Sequence, residues 1–262
     1  MKFLCITQAR FNSSRFPGKA LAKIGGKTVL QIHLERILKA TKISKLLVAT
    51  TLEPESDQIL QVCRDLGVDY FQGSLDDVLD RFYQAAKPYQ PEFIIRLTSD
   101  CPLIDPLLID ETIVAFSQDK FDYFSNGFLE TFPDGQDIEI TKFEALEKAW
   151  KNSKLMSERE HVTPYIWKNS TLHWQGQGQA LFKAGDLRSP ISYKHVRMTV
   201  DYPSDLEVIQ ALIEKLGEDR SWKEYAEYLS KNHSIASLNS EIIRNEGYQT
   251  SLKKDEKQED EK

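Results

Sequence analysis

The sequence predicts an α/β protein with a mainly parallel central sheet, and two observations carry this prediction. Short apolar and β-branched runs alternate with amphipathic helical segments through the first half of the chain, a pattern typical of parallel strands joined by crossover helices. The chain has 262 residues, of which 40% are hydrophobic, so it is long enough to bury one large core.

Each element in this first half is predicted from its periodicity and its end signals. The predicted strands are residues 3–7, 45–50, 69–71 and 93–98. The predicted helices are residues 28–39, 54–67, 73–86 and 106–116. Thr28 and Gln31 form a capping box at a helix start, and Gly67 marks a helix end. Asp105, placed directly before Pro106, is the predicted N-cap of the next helix.

The later part of the chain has a different pattern. Strands are predicted at residues 122–126 and 196–200, an exposed edge strand at 137–141, and a helix at 142–150. Ser157 to Glu160 reads as a second capping box, which predicts one helix carrying His161 and Trp167. Residues 126–192 therefore read as an insertion that binds substrate or forms a homodimer contact through its aromatic residues.

Composition limits the classes of partner and compartment. The net charge is −6, which argues against a nucleic-acid-binding surface. No run approaches the roughly 20 apolar residues of a membrane span, so no membrane partner is expected. The three cysteines form no CxxC pair, which favours a reduced, cytoplasmic protein. Residues 253–262 carry four positive and five negative residues with nothing apolar, and this predicts a disordered tail.

A cationic loop follows the first predicted strand. It carries Arg10, Arg15 and Lys19, hydroxyls that include Ser14, and a turn at Pro17-Gly18. Ligands of open α/β sheets bind beyond the carboxyl ends of the strands, and guanidinium groups bind phosphate oxygens in pairs. The loop therefore suits a polyphosphate, although a solvated surface loop would have a similar composition.

Two aspartates stand at the ends of two predicted strands. Asp100 follows residues 93–98, Asp201 follows residues 196–200, and each has a proline close behind it. Two carboxylates delivered from two strand ends can hold one Mg²⁺ together with substrate phosphates. The alternative for each residue is a carboxylate that only caps a turn.

Six segments, taken in order, resemble one protein family. QARFNSSRFPGK, FQGSLDDVLDRF, RLTSDCPLID, PDGQDIEI, REHVTPY and TVDYPSDLE are similar to segments of the sugar cytidylyltransferases, the CMP-ulosonate and CMP-nonulosonate synthetases, and most of all to the SpsF-like branch of spore coat polysaccharide biosynthesis. Neither a P-loop nor a GxGxxG fingerprint is present. Gln8 stands where the ulosonate synthetases usually have proline, and Thr98-Ser99 stands where they usually have Gln-Gly.

The resemblance implies a Rossmann-like three-layer nucleotidyltransferase fold over residues 1–252, and it assigns site residues. Those implied to bind the nucleotide are Gln8, Ala9, Arg10, Ser14, Arg15, Lys19, Gly73, Ser74, Asp77 and Arg81. Those implied to act in catalysis are Arg15, Lys19 and Asp100, and those implied to hold Mg²⁺ are Asp100 and Asp201. Those expected to bind the acceptor are Asn126, Asp137, Arg159 and His161.

The implied reaction is transfer of CMP from CTP to a sugar or sugar-acid acceptor, with release of pyrophosphate, in the synthesis of a cell-surface polysaccharide. One alternative is a nucleotide-sugar-dependent glycosyltransferase, which usually carries a DxD metal motif after an apolar strand; only Asp76-Asp77 and Asp255-Glu256 come near it. The other is a non-catalytic nucleotide-binding protein of the same fold, which would be expected to lack one of the loop cations or carboxylates.

Overall fold

A seven-stranded sheet runs through the centre of the molecule, which is described here over residues 2–260 of a computed structural model. The strands of this sheet are β1 (Phe3–Gln8), β4 (Lys45–Thr51), β5 (Asp69–Gly73), β6 (Phe93–Thr98), β7 (Tyr123–Ser125), β8 (Glu139–Lys142) and β9 (Ala184–Asp186). A small hairpin pairs β2 (Lys23–Ile24) with β3 (Lys27–Thr28). The strand order is β5-β4-β1-β6-β8-β7-β9, and only β8 runs against the other six strands of the sheet. The predicted mainly parallel sheet is confirmed.

Helices cover both faces of this sheet. They are α1 (Val29–Ile37), α2 (Asp57–Leu66), α3 (Val78–Ala86), α4 (Pro106–Phe116), α5 (Phe143–Asn152), α6 (Met156–His161), α7 (Pro164–Lys168), α8 (Pro203–Leu216), α9 (Trp222–Lys231), α10 (His233–Ala236) and α11 (Glu246–Asp260). None of the helices in residues 2–260 is long and apolar enough to cross a bilayer.

Three layers result from the alternation of side chains along the strands. Phe3 and Cys5 of β1 pack on one face with residues of α1, α2 and α4, while Leu4 and Ile6 pack on the other face with α3 and α5. All four side chains are buried, as expected for a central parallel strand covered on both faces. The three-layer α/β prediction is therefore confirmed.

Several helix ends follow the predicted local chemistry. The Thr28 hydroxyl accepts a hydrogen bond from the Gln31 amide at 3.0 Å, and Gly67 ends α2 in the left-handed region with a φ of 65°. Asp105 caps α4 by accepting from the Leu107 amide at 2.8 Å, and Pro106 occupies the first helical position.

The chain after residue 186 forms a third packed cluster against α1. Met198 and Val200 are buried with residues of α8 and α9, and they pack on Val29 and Ile32 of α1. This cluster fixes the segment that carries Asp201 beside the carboxyl ends of β1 and β6.

Two strand predictions need correction. Residues 196–200 are extended but form no strand: Arg197 makes an isolated bridge with Asp134, and the Val200 amide donates to the Asp100 carbonyl at 2.7 Å. The backbone groups of this segment form hydrogen bonds with loops, because β8 occupies the position next to β6 in the sheet. That strand, predicted to lie at an exposed edge, lies between β6 and β7 inside the sheet.

The single helix predicted to carry His161 and Trp167 is two helices, α6 and α7. Val162 between them has a φ of 71°, and Pro164 begins α7. Proline has no amide hydrogen to donate to the preceding turn, so one unbroken helix through Pro164 is disfavoured, and the chain breaks at Val162. The predicted capping box at Ser157 to Glu160 is also wrong, because α6 starts at Met156 and the Glu160 carboxylate accepts from the Ser251 hydroxyl at 2.7 Å.

The predicted insertion, residues 126–192, contributes β8 and β9 to the main sheet, and α5, α6 and α7 to its surroundings. Of the aromatic residues that suggested a homodimer contact, Phe124 and Phe132 are buried in the core of the chain itself. The homodimer stays a prediction, and the boundaries of the insertion stay a prediction too.

The predicted disordered tail, residues 253–262, is wrong over 253–260, where the chain continues α11. Ser251 and Asp255 are buried against α6, and Asp255 accepts from the Ser157 amide at 3.2 Å. One buried contact per turn orders a helix that its composition alone would leave solvated. Residues 261 and 262 of the tail prediction, and residue 1 of the predicted domain, lie outside the described residues.

Candidate active site

A polar cleft of about 580 Å³ opens where β1 and β6 end. Its wall is formed by the loops after these strands, by the segment before α8, by the end of α6 and by α11. Predicted site residues in this wall are Gln8, Ala9, Arg10, Ser14, Arg15, Lys19, Arg81, Asp100, Asp137, His161 and Asp201. Predicted site residues outside it are Gly73, Ser74, Asp77, Asn126 and Arg159.

The loop after β1 is closed on itself and aims its cations into the cleft. Gly18 adopts a φ of 73°, which favours glycine, and its amide donates to the Phe11 carbonyl at 2.9 Å. Lys19 then starts a short turn of helix, so its side chain leaves the loop at a defined point.

Lys19 joins the two aspartates predicted to share a metal ion. Its Nζ lies 2.9 Å from Asp100 Oδ2 and 2.8 Å from Asp201 Oδ1. Arg15 Nη2 lies 2.7 Å from the same Asp201 oxygen. Two carboxylates from segments far apart in the chain therefore meet at one cationic atom, close enough to contact a single ion.

The charges of this group hold its carboxylates ionised. Burial raises the pKa of Asp100, but the Lys19 ammonium and hydrogen bonds from Thr98 and Cys101 outweigh it, so this pKa lies well below its usual range. Burial and Asp100 raise the pKa of Asp201, yet Lys19 and Arg15 bring it below its ordinary value. Both carboxylates are therefore anionic at neutral pH, as oxygen ligands of a metal must be.

Asp201 is oriented by a buried group that sequence reasoning missed. Arg197 Nη2 lies 3.2 Å from Asp201 Oδ2, and Arg197 Nε lies 2.8 Å from Asp205 Oδ1. Asp205 is fully buried and accepts from the Asp201 amide at 2.8 Å. Asp205 and Arg197 are absent from the predicted site residues. The arginine four residues before Asp201 was the one available signal.

Asp100 is oriented through its neighbouring backbone. His33, fully buried, lies with Nδ1 2.8 Å from the Cys101 carbonyl and Nε2 2.8 Å from Thr7 Oγ1. Burial lowers the pKa of His33 to about 4, so the ring is neutral, donates from Nδ1 and accepts from the threonine hydroxyl. This ring ties the turn after β6 to β1.

Three arginines make the other side of the cleft cationic. Arg81 is 1% exposed, and burial together with Arg10 lowers its pKa to about 10. Within residues 2–260, neither Arg81 nor Arg10 has a carboxylate within 4.0 Å. Arg96, which was not predicted, pairs with Glu139 and donates to Gln8 Oε1 at 3.3 Å. An unpaired buried guanidinium is suited to an anionic ligand.

The predicted residues outside the wall have partners elsewhere. Asp77 caps α3 by accepting from the Asp80 amide at 2.9 Å, and it also pairs with Arg159, whose Nε lies 3.0 Å from the carboxylate. Asn126 is buried and holds the backbone of residues 136 and 138. Gly73 packs beneath the Arg81 side chain. Their ligand-binding roles stay predictions.

On the expected acceptor side, His161 faces α11. Its Nε2 lies 3.0 Å from Ser251 Oγ, and its ring packs edge-on against Tyr248 with centroids 5.1 Å apart. Burial, with Arg96 nearby, lowers the pKa of His161 to about 4, so the ring is neutral at neutral pH. Asp137 is paired with Arg244.

Helix α11 forms a wall that the sequence did not predict. Its cleft-lining residues include Glu246, Thr250 and Lys254. Glu246 Oε2 accepts from the Tyr202 hydroxyl at 2.7 Å and lies 3.6 Å from Arg15 Nη1. The first turn of α11, which precedes the predicted disordered tail, therefore contacts the loop after β1.

Comparison with known proteins gives a family match over most of the chain. The family model described as cytidylyltransferase matches residues 4–235. An uncharacterized protein of Methanocaldococcus jannaschii is 38% identical over 247 residues, covering 92% of this chain and 96% of that protein. The spore coat polysaccharide biosynthesis protein SpsF of Bacillus subtilis is 34% identical, covering 89% of this chain and 96% of that protein.

Solved structures agree with the fold. A cytidylyltransferase from Leptospira borgpetersenii is 33% identical, with a TM-score of 0.84, and the match covers 93% of this chain and all of that one. A CMP:2-keto-3-deoxy-manno-octonic acid synthetase complexed with CTP has a TM-score of 0.59 at 18% identity, covering 82% of this chain and 99% of that one, so it shows the fold alone.

Proposed function

The chain belongs to the cytidylyltransferase family, and from that premise we propose that it transfers CMP from CTP to a sugar or sugar-acid acceptor, releasing pyrophosphate, in the synthesis of a cell-surface polysaccharide. The family makes the chain a nucleotidyltransferase; the acceptor and the biosynthetic role are the proposal. One observation carries it: Arg15, Lys19, Asp100 and Asp201 meet in one cleft, with Lys19 Nζ within 2.9 Å of both carboxylates.

Mg²⁺ is the proposed cofactor, and the donor set fits it. Asp100 and Asp201 would hold the ion, since both are anionic and both already contact one cation, the Lys19 ammonium. Within residues 2–260 no cluster of three or more His, Cys, Asp or Glu side chains is arranged for a metal, but Mg²⁺ needs only one or two carboxylates besides phosphates and waters. The ion would neutralise negative charge on the phosphates.

In the proposed reaction an acceptor hydroxyl oxygen attacks the α-phosphorus of CTP, the bond to the bridging oxygen of pyrophosphate breaks, and the hydroxyl proton passes to water. Arg15 and Lys19 would offset the charge that builds on the leaving pyrophosphate, as expected for phosphoryl-type transfers that depend on positioning and electrostatics. Arg10 and Arg81 also line the cleft, and among the side chains of residues 2–257 neither has a carboxylate within 4.0 Å, so we propose that both bind the nucleotide.

No side chain is assigned as general base. His161 lines the cleft, but with a pKa of about 4 it is a weak base at neutral pH. The proposal therefore gives His161 a hydrogen-bonding part on the acceptor side, beside Asp137.

The acceptor class is drawn from two relatives. The SpsF relative of Bacillus subtilis is named for spore coat polysaccharide biosynthesis, which supports a surface glycan. A 3-deoxy-manno-octulosonate cytidylyltransferase of Geotalea daltonii is 37% identical over 46% of this chain, which supports a sugar acid. Free, buried Cys5, Cys63 and Cys101 support a reducing compartment, which we propose is the cytoplasm.

The test is pyrophosphate release from purified protein with CTP, Mg²⁺ and a panel of 2-keto sugar acids and sugar phosphates. We expect release that depends on CTP, on the acceptor and on the divalent ion. Parallel reactions with ATP and UTP, and with a chelator, are the controls. Sugar transfer from a nucleotide sugar without pyrophosphate release would favour a glycosyltransferase, and CTP binding without turnover across the panel would favour a non-catalytic protein.

A further inference from the structure

The wall formed by α11 presents an ordered face to the cleft. Glu246, Thr250 and Lys254 are spaced four residues apart, so they lie on one side of the helix, and all three line the cleft. The cytidylyltransferase family match ends at residue 235, so this helix lies outside the part of the chain that defines the family.

Helix α11 is fixed on α6 and α7 by further contacts. The Tyr248 ring packs against His161 and, with centroids 6.0 Å apart, against Trp167. The Ser251 hydroxyl donates to Glu160 at 2.7 Å, while Asp255 accepts from the α6 backbone. The cleft-facing side chains therefore project from an anchored element.

The two ends of this face differ in charge and in partners. Glu246 lies beside Arg15, at the end of the cleft where the triphosphate is proposed to bind. Lys254 lies two helical turns further on, about 12 Å along the axis. It is exposed, and among the side chains described, those of residues 2–257, none offers it a carboxylate within 4.0 Å.

We propose that α11 is the acceptor-side wall of the cleft and that Lys254 is a specificity-determining residue that binds an anionic group of the acceptor, a carboxylate or a phosphate. This rests on the proposed function. An unpaired ammonium facing a cleft attracts an anion as a point charge. Lys254 is assigned to the acceptor because Arg15 and Lys19, the cations proposed to offset charge on the leaving pyrophosphate, lie at the Glu246 end of the helix.

The experiment compares wild type with Lys254→Ala and Lys254→Glu, using Lys253→Ala and Lys253→Glu as matched controls. Lys253 is the neighbouring exposed lysine of α11 and does not line the cleft. We expect Lys254→Ala to raise KM for the acceptor about 10-fold, the loss of one charge-assisted hydrogen bond, and Lys254→Glu to raise it further. KM for CTP should stay within about 2-fold, and the Lys253 variants should resemble wild type.

Three acceptor arms identify the anion: 2-keto sugar acids, sugar phosphates and the corresponding neutral sugars. Calorimetric titration of the same compounds onto each variant separates binding from turnover. If a compound binds in a way that depends on Lys254 but no pyrophosphate is released, the assignment of Lys254 to anion binding is supported and the proposed reaction is contradicted. Equal effects of Lys253 and Lys254 variants, a preference for neutral sugars, or no binding by any compound would overturn the inference.

Discussion

The Arg15 guanidinium lies near two carboxylates, on the side of the cleft proposed for the triphosphate. Its Nη2 is 2.7 Å from Asp201 Oδ1, and its Nη1 is 3.6 Å from Glu246 Oε2. Arg15→Ala should lower kcat/KM for pyrophosphate release by about 30- to 1,000-fold, because removing one preorganised charge donor costs about 2 to 4 kcal/mol of transition-state stabilisation.

Steady-state kinetics with saturating acceptor measures this effect. Arg64→Ala is the matched control, since Arg64 is exposed, does not line the cleft and donates hydrogen bonds to Gln61 on its own helix. A loss smaller than about 5-fold for Arg15→Ala would remove Arg15 from the reaction.

Asp100 is the carboxylate proposed to hold Mg²⁺ together with Asp201. Asp100→Asn keeps the shape but removes the charge, so we expect activity to fall by at least about 100-fold and the concentration of Mg²⁺ needed for half-maximal activity to rise. Titration of Mg²⁺ at fixed CTP measures both, and exposed Asp65→Asn is the control. An unchanged Mg²⁺ dependence would place the metal elsewhere.

His161 makes stability depend on pH. Its ordinary pKa is 6.5, and burial lowers it to about 4 in the folded protein, so on acidification the unfolded state takes up this proton first. The stability that neutral His161 contributes is complete above pH 6.5 and is lost as the pH falls towards 4, with a slope of at most about 1.4 kcal/mol per pH unit.

Urea unfolding of wild type and His161→Gln at several pH values between 7 and 4 tests this. The free energy of unfolding of the variant should vary less with pH over this interval, whereas exposed His195→Gln should follow wild type. Parallel curves for all three proteins would contradict the buried, neutral state of His161.

At the residue scale, sequence reasoning found the side chains that end strands or sit in the loop after β1. Lys19, Asp100 and Asp201 belong to that group, and their convergence needed only parallel strands that end at the same edge. Arg197 and Arg96 were missed because one lies inside an extended segment and the other inside a strand. Whether such a residue faces a cleft depends on which elements become its neighbours.

At the scale of elements, Glu246 connects α11 to the loop after β1 through its contact with Arg15. Glu246→Gln removes a negative charge beside Arg15, so we expect CTP to bind about 2- to 5-fold more tightly, the size of a partly exposed ion pair. Calorimetry with CTP measures the dissociation constant, and Glu256→Gln, exposed on the same helix, is the control. Weaker CTP binding by Glu246→Gln would show that Glu246 orders the loop after β1 rather than competing with CTP for Arg15.

The helices and strands that were predicted well are those whose position along the chain is determined by their own residues. Asp105 before Pro106 sets the start of α4, and residues 93–98 form β6 as predicted. Residues 196–200 alternate apolar and polar side chains as a strand would, but they lie against loops instead of a free sheet edge. Helix α11 is the opposite case, because its polar sequence is ordered by α6, an element about a hundred residues earlier.

At the scale of the whole molecule, nucleotide binding should stabilise the folded state. CTP with Mg²⁺ at 100 times its dissociation constant should add ~2.7 kcal/mol to the free energy of unfolding, which raises Tm by several degrees in a chain of this size. Differential scanning calorimetry with CTP, UTP or ATP at equal concentration measures the preference. A larger shift with UTP would contradict CTP as the natural nucleotide.

The architecture as a whole could be predicted because alternation of strands and helices leaves few topologies, and β1, β4, β5 and β6 follow one of them. The second half could not, since β8 reverses direction and enters the sheet between strands that precede it in the chain. That placement depends on the packing of the complete molecule.

The position of β1 also matters while the chain is being made. It leaves the ribosome before its two neighbours, which begin at Lys45 and Phe93, so both of its edges are unpaired until β4 emerges and one edge stays unpaired until β6 emerges. An apolar strand with two open edges invites wrong pairing with other nascent chains. Slow translation before residue 98 should therefore lengthen the interval in which a chaperone is needed.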